Sequence, residues 1–235
     1  MLLVVLPGMD GSAELLADFV AELGDDVPSR VIRYPADQPM NYAELETFVL
    51  ALLPKNDPYV LMAESFSGPI AISIAGSRPS ELAGVILSAS FACNPRPFLS
   101  VLRPLLGVLP LKHVPVALLS AVLLGRFATP RRRAALNNVL ASLSLPALRA
   151  RARAVLDADV TPLLGAIGVP LLYLRATDDR LVPPACAEAI AQAVPQARVV
   201  EVEAPHFLLQ SAPAPAAVAI KEFIAALPAS AGENR

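Results

Sequence analysis

The chain has 235 residues, 55% of them hydrophobic, with a formal net charge of -2. That length suits one domain with an elaboration, the apolar content allows a large core, and the balanced charge gives no global basis for binding nucleic acid. The only cysteines, Cys93 and Cys186, form neither a disulfide framework nor a metal-ligand pattern, so we expect a cytoplasmic protein without metal or organic cofactor.

Leu2 to Leu6 is a short apolar run with β-branched content, as expected of a strand buried on both faces of a parallel sheet. It lacks a basic flank and is halted by Pro7-Gly8, so it reads as a strand rather than a signal peptide. After the turn Pro7 to Ser12, Leu15, Leu16, Phe19, Val20 and Leu23 recur at helical spacing. Val31 to Pro35 reads as a second strand and Tyr42 to Leu53 as a second helix; Tyr59 to Ala63 is a third strand, leading through Ser65 into a helix around Ile70 to Ala75. Gly84 to Ser90 is the next strand. This alternation predicts a parallel sheet with helices on both faces.

From Asn94 the rhythm stops. Residues 94–160 show no convincing strand, only Leu, Ala, Val and Arg at helical spacing broken by prolines, and predict a helical insertion into a core of residues 1–93 and 161–235. No stretch in it is long and apolar enough to cross a bilayer. The alternation resumes with a strand over Val169 to Arg175, a helix over Pro184 to Val194, a strand over Ala197 to Val202 and a closing helix over Ala216 to Leu227, followed by a frayed tail at residues 229–235.

Three loops concentrate the chemistry. Val60 to Ala71 has the form of a strand-turn-helix elbow, which lifts the Ser65 hydroxyl to the carboxyl edge of the sheet beside the Phe66 N–H. A serine hydroxyl needs a base in reach, itself oriented by a carboxylate. His206, one of two histidines, follows the last predicted strand and so lies at the same edge, whereas His113 falls inside the insertion. Asp178 and Asp179 follow the strand ending near Arg175, and either is placed to reach a histidine; we prefer Asp179. The second oxyanion donor is expected from the turn after the first strand, at the Met9 N–H.

With these motifs together, the sequence resembles the α/β-hydrolase superfamily over nearly its whole length. Leu6 to Gly11 is similar to its oxyanion turn, Glu64-Ser65-Phe66-Ser67-Gly68 to its nucleophile elbow, Asp179 to Pro183 to its acid loop, and Pro205 to Leu208 to its histidine loop. The order Ser, Asp, His is the superfamily's. Pro7-Gly8 replaces the usual His-Gly, and Ala63 and Ser67 replace the two glycines flanking the nucleophile, which puts the oxyanion geometry in question. The resemblance implies a mostly parallel sheet of about six strands, the family's first two strands being apparently missing, with residues 94–160 as a cap.

It further implies a serine esterase acting on small to medium acyl groups. Thioester hydrolysis, lysophospholipid hydrolysis and acyl transfer use the same residues, and a non-catalytic binding protein on this fold is the alternative of a different class. A serine rather than an aspartate at the elbow disfavours dehalogenase and epoxide hydrolase chemistry. Phe91, Phe98, Leu123, Phe127, Val182 and Phe207 are the candidates to contact the acyl group. Ten Arg and Lys against two Asp give residues 94–160 a net charge near +8; the bland reading is solubility of an apolar subdomain, the sharper one an anionic ligand or membrane surface.

Overall fold

The structure, a computed structural model, describes residues 1–228; the expected tail at 229–235 lies outside the described residues. The elements in chain order are β1 (Leu2–Leu6), α1 (Ala17–Leu23), β2 (Ser29–Val31), α2 (Tyr42–Leu50), β3 (Tyr59–Glu64), α3 (Gly68–Gly76) and β4 (Leu82–Ser88). After them come α4 (Val116–Leu123), α5 (Pro130–Ser142), α6 (Leu145–Leu156), β5 (Leu171–Ala176), α7 (Pro184–Ala193), β6 (Arg198–Val202), α8 (Leu208–Ser211) and α9 (Pro213–Ala225). The strands form one sheet in the order β2-β1-β3-β4-β5-β6, every neighbouring pair parallel.

The parallel pairing explains the apolar strands. β3 is buried at all six positions, because one face packs against Phe19, Leu23 and Ile220 and the other against Leu45, Ile74 and Ile190. All six strands therefore deliver their carboxyl ends, and the loops that follow them, to one rim.

The second strand spans Ser29–Val31 and shares only Val31 with the expected Val31 to Pro35. Beyond Ile32, whose N–H still reaches the Val5 carbonyl at 2.9 Å, the chain leaves the sheet edge and the Tyr34 N–H pairs with the Gly11 carbonyl at 2.8 Å, folding the post-β2 segment over the post-β1 turn. Helix α2 opens on a capping box in which Asn41 and Glu44 exchange side-chain and backbone hydrogen bonds.

Between β4 and β5 the elements are all helical: α4 to α6 and 3-10 segments at Pro97–Leu105, Leu111–His113, Gly125–Phe127 and Thr161–Ala166. The ends of the insertion are clasped by an antiparallel bridge between Cys93 and Asp159, with Asn94 N–H on Ala158 O at 2.9 Å and Val160 N–H on Ala92 O at 2.8 Å. Prolines at 97, 104, 110 and 115 remove donors and explain why the first part winds as short 3-10 turns rather than one α-helix. Among the described residues no helix is long and apolar enough to cross a membrane.

Candidate active site

β3 runs into Ser65, whose φ of +47° is a conformation that a residue with a side chain rarely adopts. The bend is held from both sides. Ser90 Oγ donates to the Ser65 carbonyl at 2.5 Å, and the Tyr42 hydroxyl donates to the Phe66 carbonyl at 2.9 Å. A Cβ at residue 68 would lie 1.8 Å from Ser90 Oγ, so glycine is required there for the following helix to approach β4's loop. The strain is thus compensated by neighbours on two other segments.

The three distant side chains meet. Ser65 Oγ lies 2.8 Å from His206 Nε2, and His206 Nδ1 lies 2.8 Å from Asp179 Oδ2. The other oxygen, Asp179 Oδ1, accepts the N–H groups of Leu181 at 2.8 Å and Val182 at 2.9 Å. Both the imidazole and the carboxylate are buried. A carboxylate at Nδ1 fixes the tautomer that carries its proton there, leaving the Nε2 lone pair toward the hydroxyl. Asp178, one residue away, points elsewhere: it pairs with Arg126 at 3.1 Å, and this hydrogen-bonded guanidinium holds its carboxyl below the usual range.

The turn after β1 faces this group. The Gly8 carbonyl accepts the Gly11 N–H at 3.0 Å, and since the 8–9 peptide is planar and trans, the Met9 N–H must point the opposite way. The Met9 carbonyl is held in turn by Arg151 Nη1 at 2.8 Å. Met9, Ser65 and Phe66 border one cavity.

Sequence reasoning missed four residues that build this turn. Ser67, standing where the superfamily has glycine, is fully buried; its hydroxyl donates to the Pro7 carbonyl and lies 2.7 Å from the Tyr34 hydroxyl, tying elbow to turn. Arg151 is fully buried and reaches from α6 to Met9 O and, at 2.9 Å, to Pro35 O. Gly11, at φ +73°, leaves the room this guanidinium occupies, since a Cβ there would lie 2.5 Å from Nη1. Arg151 shares the inward face of α6 with Ala147 and Ala154, and a charge at i+4 between two inward alanines is the signal that was there to be read.

Glu64 is an ionisable residue in an otherwise apolar strand, held by Gln210 Nε2 at 2.8 Å. Burial pushes its carboxyl up to about 7; the Gln210 hydrogen bond opposes that rise and the nearby Asp10 carboxyl adds to it. Asp10 is itself raised, chiefly by burial.

The cavity over Ser65 has a volume of about 250 Å³. Phe91, Leu99, Leu102, Leu106, Val155 and Leu181 supply much of its wall, together with Arg96 near the rim. Of the predicted acyl contacts only Phe91 lines it. Phe98 is a correction: the segment winds with three residues per turn, Leu99 and Leu102 face in, and Phe98 stands 68% exposed on the opposite row. Leu123, Phe127, Val182 and Phe207 also lie outside the lining. Leu123 offers its carbonyl to the Phe207 N–H at 3.0 Å, Phe127 lies under the Arg126 guanidinium at 4.6 Å, and Val182 packs against Phe91 and Ala158, so these four brace the loops around the triad.

The basic insertion is largely committed to internal partners. Arg96 donates to the carbonyls of Leu181 and Arg180, Arg132 to those of Gln210 and Ser211, and Arg126 bridges Asp178 and Glu203. Arg103 pairs with Asp157 and Arg131 with Asp18. Among the described residues no group of three or more His, Cys, Asp or Glu is placed to hold a metal.

Comparison with known proteins agrees with the geometry. The profile of the family described as "Serine aminopeptidase, S33" matches residues 41–208. An enol-lactonase from Burkholderia xenovorans LB400 superposes with a TM-score of 0.79 at 21% identity, over 95% of this chain and 89% of that one. A thermophilic esterase from Thermogutta terrifontis gives 0.78 at 22% identity, over 95% and 88%. MenH from S. aureus gives 0.75 at 16%, over 96% and 93%. At such identities these likenesses show the fold. No curated protein sequence matches the chain.

Proposed function

The chain belongs to the serine aminopeptidase S33 family of α/β-hydrolases, and from that premise we propose that it hydrolyses carboxylic esters through an acyl-enzyme on Ser65. The observation that carries the reading is the unbroken chain of contacts from Ser65 through His206 to Asp179 at the wall of an apolar cavity. Ser65 Oγ attacks the ester carbonyl carbon while its proton passes to His206 Nε2, and Asp179 stabilises the imidazolium that forms. The N–H groups of Met9 and Phe66 hold the oxyanion, each such donor being worth about 3 kcal/mol at the transition state. The C–O bond breaks, His206 returns the proton to the leaving alkoxide, and a water deprotonated by His206 releases the acid. The insertion acts as the cap that walls off the acyl group.

The family's description raises peptide hydrolysis as a second reading. An aminopeptidase has to accept a free ammonium group beside the scissile bond, and the cavity at Ser65 is walled without a single carboxylate. That favours an uncharged acyl group. Thioesters, lysophospholipids and acyl transfer to an alcohol share the acyl-enzyme and differ only in leaving group or acceptor.

The test is a burst experiment with p-nitrophenyl butyrate beside butyryl-coenzyme A. A burst of p-nitrophenol near one equivalent per chain, followed by slower turnover, is expected. In Ser65→Ala the burst disappears and turnover falls about 10^5-fold or more. Binding of the ester without turnover in the parent protein would instead point to a non-catalytic receptor.

A further inference from the structure

Leu106 borders two separate spaces. On one side is the 250 Å³ cavity over Ser65; on the other is a more open cleft of about 620 Å³ walled by Asn41, Tyr42, Arg149, Ala150 and Arg153. It is the one residue common to both walls. Helix α6 forms the rest of the partition, with Ala152, Val155 and Leu156 toward the cavity and Arg149, Ala150 and Arg153 toward the cleft. Leu106 is 5% exposed, a buried side chain that borders both spaces. Its neighbour Gly107 adds nothing to the barrier, and a Cβ there would meet no atom within 4 Å.

From this we propose that Leu106 sets the acyl-chain length the enzyme accepts, by closing the far end of the acyl cavity. The proposal rests on the ester-hydrolase reading of Ser65. A methylene takes about the volume of a water molecule in a liquid, about 30 Å³, so the cavity holds roughly eight such groups. Chains up to about octanoyl fit; longer ones meet Leu106. Truncation to alanine removes the three carbons that form the partition and opens the cavity into the cleft. A phenylalanine projects further into it and shortens it.

The experiment is a p-nitrophenyl ester series from acetate to palmitate on the parent, Leu106→Ala and Leu106→Phe. In the parent, kcat/KM should climb about fourfold per methylene and stop climbing near eight carbons. In L106A the climb should continue, raising the laurate-to-octanoate ratio at least tenfold. In L106F the break should move to shorter chains. Calorimetric binding of the straight-chain fatty acids, butanoic to hexadecanoic, to Ser65→Ala protein with and without each Leu106 substitution reads the same break without turnover. Displaced breaks in binding with no ester hydrolysis by the parent would uphold the gate and sink the hydrolase reading. An unmoved break in both variants, each folded like the parent by circular dichroism, would overturn the gate.

Discussion

Around the carboxyl rim of the sheet, polar groups are fixed by partners within and between the loops: Ser90 on the Ser65 carbonyl, Ser67 on the Pro7 carbonyl, and two backbone N–H groups of its own loop on Asp179. In the insertion between β4 and β5 apolar side chains are interspersed with long basic ones, and Phe98, Val101 and Val108 are each more than two-thirds exposed. The two regions meet through arginine. Arg96, Arg126, Arg132 and Arg151 all leave the insertion and end on carbonyls or carboxylates of the loops that carry the acid, the histidine and the oxyanion turn. Arginine suits this work because its planar fork serves two acceptors at once and its charge survives burial. The rim is thus preorganised for charge development, while the insertion shapes an apolar volume and is pinned to the rim from outside.

The sharpest way to break this division is at the joint itself. Arg151→Met removes the side chain that joins α6 to Met9 and Pro35, and leaves two carbonyls without the guanidinium donors. We expect a loss of about 2–5 kcal/mol of stability, read by urea unfolding. If the Met9 N–H holds the oxyanion as proposed, kcat should fall at least tenfold with KM little changed. Arg151→Lys, able to reach one acceptor, should recover part of both. Equal losses in kcat and KM in a stable variant would mean that Arg151 shapes the acyl cavity instead.

A smaller effect sharpens the rim side. Glu64 has its carboxyl raised by burial from an ordinary 4.5 to about 7. A carboxyl raised on folding binds its proton more tightly in the native state, so its contribution to stability is full below pH 4.5 and is lost as pH climbs toward 7. Glu64→Gln retains an oxygen to accept from Gln210 and removes the titration. Chemical unfolding of the two proteins from pH 4 to 8 should show the parent losing stability relative to the variant across that window, by an amount on the order of 3 kcal/mol. A constant difference would place the ionised form in the native protein throughout.

The alternation of strands and helices was legible because parallel strands buried on both faces leave unbroken apolar runs, and Ser65, Asp179 and His206 because each follows such a run at the same rim. The strand expected over Val31 to Pro35 lies instead at Ser29–Val31, because Tyr34 finds its backbone partner on Gly11, a contact with no local signature. Ser67 read as a departure from the elbow pattern, whereas its hydroxyl is what joins elbow to turn. Four of the six predicted acyl contacts were phenylalanines, and Phe98 fell on the wrong side because proline-broken 3-10 winding has a period of three. Leu99 and Leu102, one turn apart, were the residues that period selects.

The central claim is that the acid of the relay is Asp179 and not the carboxylate beside it. Steady-state kinetics on Asp179→Asn and Asp178→Asn separates them, since only residue 179 touches the His206 ring. The account predicts a fall in kcat of about 10^4-fold for Asp179→Asn, whose amide no longer holds the required tautomer. For Asp178→Asn, which loses only an exposed ion pair, it predicts a change within about threefold. Comparable losses in both variants, or the larger loss in Asp178→Asn, would contradict it.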